Sequence, residues 1–171
     1  MATLEIADEC LAPEPEVFMT YSGPDPWGVV KHISEEIKPF FHVSTSSTSN
    51  DRLNWDIAGD PITFYSSWWV KKSMSGRSDA KFFMRVQGAV SKTDNTGQFT
   101  LRMWGRLDTE VSGPAVILKP FWLTYSYLFY NRLRMGYISD CRNYIYHFRN
   151  LLKEHYNLGA TRLPGKDTSF G

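Results

Sequence analysis

The sequence predicts an α+β domain: a curved antiparallel sheet of about four to six strands, with an N-terminal helix and a long C-terminal helix packed on one face. Three observations predict it. Apolar and polar residues alternate through the central third, the period-two signature of half-buried strands. Ahead of that region, Asp25-Pro26 opens a stretch whose apolar residues recur at three- and four-residue steps. Beyond Val111-Ser112-Gly113-Pro114 the period turns helical and stays so almost to the end. This order of elements also suits a helix-grip arrangement, in which a sheet wraps the last helix.

Taken in order, residues 1–15 carry acids, two prolines and no sustained period, and read as a flexible acidic leader. Residues 16–22 read as a short strand with Val17, Met19 and Tyr21 on one side, followed by a turn at Gly23 and Pro24. In the next helix Asp25 is the expected cap, and Pro26 takes the first position, where its missing N–H costs nothing. Val29, Val30, Ile33, Ile37, Phe40 and Phe41 form its apolar stripe, and the helix is expected to end near Pro39. The Ser/Thr run 44–49, closed by Asn50 and Asp51, is too polar for a buried element and reads as a loop or edge strand.

The central strands follow. Leu53, Trp55 and Ile57 alternate with Asn54 and Asp56 before a turn at 58–61. Next, Ile62, Phe64, Ser66, Trp68 and Val70 share one face, and Thr63, Tyr65, Ser67, Trp69 and Lys71 the other. Phe82, Met84 and Val86 oppose Lys81, Phe83, Arg85 and Gln87. After a hairpin loop at 92–97, Phe99, Leu101, Met103 and Leu107 oppose Thr100, Arg102, Trp104, Arg106 and Asp108. The apolar sets of this hairpin match when paired residue numbers sum to 187 or 189. The first register sets Arg85 against Arg102. The second sets Arg85 against Trp104, and the cost of facing like charges favours it.

Pro120 opens the final helix and Gly159 closes it. At about 1.5 Å per residue its length would be about 58 Å, longer than a compact domain of this size, so a bend near Gly136 or a projecting end is expected. Its core stripe runs Phe121, Tyr125, Leu128, Met135, Ile138, Cys141, Ile145, Phe148 and Leu152. Residues 159–171 lack an apolar face and read as a flexible tail, leaving a single domain over 16–158.

With 171 residues, 42% apolar and 15% aromatic, the chain has enough ring area for one well-buried core, which excludes wholesale disorder. The net charge of +1 conceals an acidic start: five acids and no Lys or Arg fall in residues 1–16. The nineteen cations then outweigh the thirteen remaining acids by six, mild for a nucleic-acid binder but enough for a local patch. Cys10 and Cys141 pair only if the leader folds back on the last helix. The expectation is two unpaired thiols in a reducing, cytoplasmic setting, since no secretory signal is visible. The segment 115–130 is interrupted by Lys119 and Pro120 and falls short of the roughly 20 apolar residues that a span needs.

Catalytic and metal signatures are sparse. His32, His42, His147 and His155 are scattered without paired-ligand spacing, so no metal or cofactor is expected. The chain shows no Gly-x-Ser-x-Gly elbow, no Gly-rich phosphate loop and no DNA-binding motif. Asp56 and Asp60 bracket a turn and read as turn formers instead of an acid/base pair. The richer signal is aromatic and basic. Tyr65, Trp69, Lys71, Lys81, Phe83, Arg85, Arg102, Trp104 and Arg106 share one side of their strands, and Arg132 and Arg134 add cations on the helix. Rings interleaved with guanidinium groups stack bases, hold phosphates or pack a protein partner.

The leading expectation is therefore a non-enzymatic binding domain that contacts a protein or RNA partner through this aromatic-basic surface. The alternative is a carrier or enzyme whose apolar cavity, between sheet and C-terminal helix, is lined by Trp55, Trp68, Met84 and Met103. A third is peripheral attachment to a membrane surface through Phe121, Trp122, Leu123 and their neighbours.

Three stretches also carry a resemblance. Tyr21-Ser22-Gly23-Pro24-Asp25-Pro26-Trp27, Trp55-Asp56-Ile57-Ala58-Gly59-Asp60-Pro61 and Leu128-Phe129-Tyr130-Asn131-Arg132-Leu133-Arg134 together resemble a family of small, uncharacterised archaeal proteins. Over residues 16–156 the resemblance implies an intracellular archaeal protein of this size, and it brings no activity or catalytic residue with it.

Overall fold

The computed structural model describes residues 2–113 and 119–158, so the expected tail at 159–171 lies outside the described residues. The fold is α+β, as the sequence predicts. Six antiparallel strands form one sheet: β1 (Ala2–Glu9), β2 (Val17–Pro24), β3 (Thr48–Asp56), β4 (Ile62–Ser75), β5 (Ser78–Val90) and β6 (Thr96–Gly113). The helices are α1 (Gly28–Phe41), α2 (Lys119–Tyr125) and α3 (Asn131–His155), the last two joined by a π-helical turn at Ser126–Tyr130.

The sheet order is β1-β6-β5-β4-β3, and β2 also pairs with β6. β6 is long enough to hold two partners end to end. Ala2–Glu9 runs against its second half, from Arg106 to Gly113, and Val17–Pro24 against its first half, from Thr96 to Met103. This corrects the leader expectation. The acids of residues 2–9 sit in a paired strand, because the alternation of Ile6 and Asp8 inward with Glu5 and Glu9 outward escapes a reading that looks for apolar residues alone.

Both main helices pack on one face of the sheet. Phe64, Trp68, Val70, Phe82, Met84, Val86, Phe99, Leu101, Met103 and Leu107 project into the core, where they meet Val29, Ile33, Ile37 and Phe41 of α1 and Ile145, Phe148 and Leu152 of α3. The start of α1 lies later than expected: Trp27 takes the cap position, and Asp25, left-handed at φ 49° in the turn before it, accepts the Gly28 N–H at 3.2 Å. The helix ends near Pro39, as expected. The chain passes through that proline and stops at Phe41, where His42 takes a left-handed conformation with φ 53°. The polar run at 44–51 becomes a short 3-10 turn followed by the exposed edge strand β3, bulged between Asn50 and Arg52.

Two further expectations are overturned. The β5–β6 register is the first of the two, pairing Arg85 with Arg102 and Phe83 with Trp104. The hairpin loop settles it: Asn95 turns left-handed at φ 56°, and the Ser91 N–H donates to the Thr96 carbonyl at 2.7 Å. The two cysteines do pair. Where the chain steps off β6 between β1 and β2, Cys10 turns inward and forms a disulfide with Cys141 of α3. Gly105 makes room, since a Cβ there would lie 2.8 Å from Ile145 Cδ1 and 3.0 Å from Cys141 Sγ. Arg142 then fastens the crossing segment, donating to the carbonyls of Cys10 and Ala12.

The apolar stripe of the last helix splits. Cys141, Ile145, Phe148 and Leu152 are buried, whereas Phe121, Tyr125, Leu128 and Met135 are exposed. The sheet covers the second half of the helical run, and the first half projects.

Candidate functional site

The face of the sheet turned away from α1 and α3 gathers the residues singled out in the sequence. Side chains of five strands line a depression of about 880 Å³ there, and every lining residue belongs to a strand. Tyr65, Arg85, Gln87 and Arg102 are joined by Thr20, Asn54, Thr63 and Thr100. Gln87 and the last four were not among the expected site residues. Thr20 alternates with Val17, Met19 and Tyr21, so its outward direction was legible, but its place beside Arg102 needed the β2–β6 pairing.

The rings of this face lean on one another. Phe83 and Trp104 stack at 5.4 Å with 15° between their planes, and the Arg85 guanidinium lies 4.8 Å from the Trp104 ring centroid. Arg102, directly opposite Arg85, is drawn instead over Phe18 of β2 at 5.6 Å and toward Glu16 at 3.8 Å. The like-charge pair that argued against this register is relieved because each guanidinium has a ring of its own. Tyr65 and Trp69 follow on β4 and stay half-buried.

The charges of this face divide into two regions. Toward β1, Lys71 pairs with Asp79 at 2.9 Å, and Lys81 and Arg106 both reach Asp108, each at 2.7 Å. The hydrogen bond and charge of Asp79 raise the Lys71 ammonium above its ordinary range. Burial works to raise the Asp108 carboxyl, but hydrogen bonds from Lys81 and Arg106, with their charges, hold it below the usual carboxylate range. Glu5 and Glu110, opposite one another on the same side, add further negative charge. Three of the expected basic residues are thus neutralised within the protein. Arg85 keeps no carboxylate partner among the described residues, and Arg102 has a long contact to a single one.

Arg132 and Arg134 do not join this site. They stand on α3, on the other side of the sheet, where Arg134 pairs with Asp8 at 3.3 Å and Arg132 is exposed. The residues expected to line an internal cavity also separate. Trp68, Met84 and Met103 are packed within the core, and Trp55 stands on the edge strand with its ring 3.7 Å from that of Trp27. A shallower depression of about 460 Å³ lies where β4 meets α3, between Lys72, Met74, Tyr137 and Tyr144, and none of those four expected residues lines it.

Among the described residues no three His, Cys, Asp or Glu side chains converge as a metal-ligand set. His32 of α1 and His155 of α3 do stack, with ring centroids 3.9 Å apart. Burial and the neighbouring His155 hold the His32 imidazole below its ordinary pKa, against the opposing pull of Glu36 and Glu35. This contact fastens one helix to the other at the edge of the core.

No family model matches the chain, and no curated protein matches it. Among solved structures, an uncharacterised protein of Rhizobium leguminosarum is 7% identical, with 81% of this chain and 97% of that one covered. The TM-score is 0.21, too low for the likeness to carry an argument.

Proposed function

We propose that the chain is a non-enzymatic binding domain that holds an acidic segment of a partner protein in the depression on the outer face of its sheet. One observation carries the reading: Arg85, without a carboxylate partner among the described residues, stands beside Arg102 in a depression whose lining mixes hydrogen-bonding side chains such as Gln87, Thr20 and Thr100 with apolar ones such as Trp55 and Phe99, and whose one carboxylate is Asp56. Carboxylates of a partner supply the charge that these guanidinium groups lack, and the Thr and Gln side chains supply donors and acceptors to its backbone. An RNA partner is served less well. A phosphate chain carries a charge at every nucleotide and would run on from Arg85 and Arg102 past Asp79, Asp108 and Glu110, whereas a short segment needs carboxylates only where the two guanidinium groups stand.

A cytoplasmic home and kinship with small archaeal proteins belong to the same proposal. Two of the stretches that carry the kinship contribute to the depression's lining, through Tyr21 and Ser22 of the first and Trp55 and Asp56 of the second, and the third lies on the projecting helix. An intracellular setting has to be oxidising enough, at least locally, to keep the Cys10–Cys141 bridge closed.

The test is fluorescence anisotropy of the full chain with a labelled Glu/Asp-rich peptide and, separately, with a labelled single-stranded RNA, across a salt series. The expected result is saturable peptide binding that falls about tenfold or more with Arg85→Ala and again with Arg102→Ala. Peptide binding indifferent to both changes overturns the reading. RNA binding tighter than peptide, with a steep salt slope, transfers it to nucleic acid.

A further inference from the structure

The helical run from α2 through α3 carries one apolar stripe, and the sheet covers only part of it. Cys141, Ile145, Phe148 and Leu152 are buried against the strands. Earlier on the run the stripe continues as Leu133, Phe129, Leu128 and Phe121, exposed at 54%, 65%, 65% and 73%. Tyr130 marks the point of departure, its hydroxyl 2.7 Å from Ser78 Oγ at the end of β5. Arg134, paired with Asp8, fastens the root of the projecting segment to β1. A row of large apolar side chains held away from the body by a rigid helix is not needed for the core, and exposing it to water is costly.

We propose that this segment docks on an anionic lipid surface, with Phe121, Leu128, Phe129 and Leu133 at the acyl boundary and Arg132 among the headgroups. The charge pattern selects that occupant. Residues 119–139 contain Lys119, Arg132 and Arg134 and not one Asp or Glu, while four Tyr and a Trp in the same stretch are side chains that favour the interface. A second copy of the segment fits worse, because two such stripes face to face would bring the exposed Arg132 of each copy together with no carboxylate of the segment between them. No helix among the described residues is long and apolar enough to cross a membrane, so the segment lies on the surface.

The experiment is flotation of the full chain with vesicles of phosphatidylcholine alone and of phosphatidylcholine with about one-third phosphatidylserine. The chain should float with the anionic vesicles at least about tenfold better than with the neutral ones, and less so as salt rises. The double change Leu128→Glu/Phe129→Glu should abolish flotation while leaving circular dichroism unchanged, since both positions are exposed, and Leu128→Met/Phe129→Leu should retain it. A chain that stays with neither vesicle type, that floats equally with both, or whose Glu variant floats like the parent overturns the proposal. So does a concentration-dependent dimer that the Glu variant dissolves, which would assign the stripe to a second copy instead.

Discussion

Arg85 and Arg102 face one another directly across β5 and β6, and each guanidinium is drawn onto a ring of its own, Trp104 for the first and Phe18 for the second. The arrangement tolerates two like charges side by side. It also separates binding from stability in a single experiment. Arg85→Glu gives up the contact with Trp104 but gains an opposite charge facing Arg102, so the unfolding free energy should stay within about 0.5 kcal/mol of the parent. Acidic-peptide binding should vanish in the same variant. Urea denaturation beside anisotropy reads both, and a variant that still binds removes Arg85 from the site.

The Cys10–Cys141 bridge closes a long loop, its ends separated by 131 in sequence, and ties the N-terminal strands to α3. Reducing it, or changing Cys10 to Ser, should cost about 2–5 kcal/mol. Thermal melts with and without reductant, together with a thiol titration of the denatured chain, give the answer. Two free thiols and a melting temperature indifferent to reductant would show that the bridge does not form.

Gly105 lies beneath that bridge. Gly105→Ala places a methyl group 2.8 Å from Ile145 Cδ1 and 3.0 Å from Cys141 Sγ, so about 1–3 kcal/mol of destabilisation is expected from overpacking. Gly76→Ala, where a Cβ meets nothing within 4 Å, is the control. Equal stability of the two variants would contradict the close approach of α3 to β6.

Arg149 is buried in α3 with 7% exposure, and its Nε and Nη2 have no hydrogen-bond partner among the described residues. Burial lowers its pKa, and the Tyr146 ring 4.8 Å away offers the compensating contact. An uncompensated cation in the interior is costly, so Arg149→Met should raise stability by about 1 kcal/mol. A loss of similar size in chemical denaturation would reveal a partner for the guanidinium.

The stacked His32 and His155 predict a direction with pH. Because the folded state holds the His32 pKa below its unfolded value, the unfolded chain takes up the proton first as pH falls. The stability this group contributes is complete above the unfolded value of about 6.5 and declines below it. Denaturation midpoints at several pH values between about 5 and 8 should fall toward acid, and less steeply in His32→Gln. A midpoint that rises toward acid in the parent alone would refute the sign.

Much of the fold was legible because alternation is a local property. Phe82-Phe83-Met84-Arg85-Val86 announces a half-buried strand wherever its partner lies, and the structure keeps each of these side chains on the predicted face. Helix boundaries were less legible. α1 begins at Gly28, three residues after Asp25, and runs two residues past Pro39 to Phe41. The candidate site was half visible: the period fixed which face Arg85, Arg102 and Trp104 occupy. Neutralisation of Lys71, Lys81 and Arg106 was hidden, because it depends on Asp79 and Asp108 standing beside them across or along paired strands.

By itself the sequence determined the class of the main helices and of the central strands, and the side of the sheet on which those strands' side chains lie, since both follow from the repeat of the backbone. Tertiary structure alone decided the register of β5 on β6, the folding back of residues 2–10 that brings Cys10 to Cys141, and how much of the long apolar stripe finds cover. Each of these depends on contacts between residues distant in the chain. Their energies compare one pairing with another, and no local pattern records that comparison.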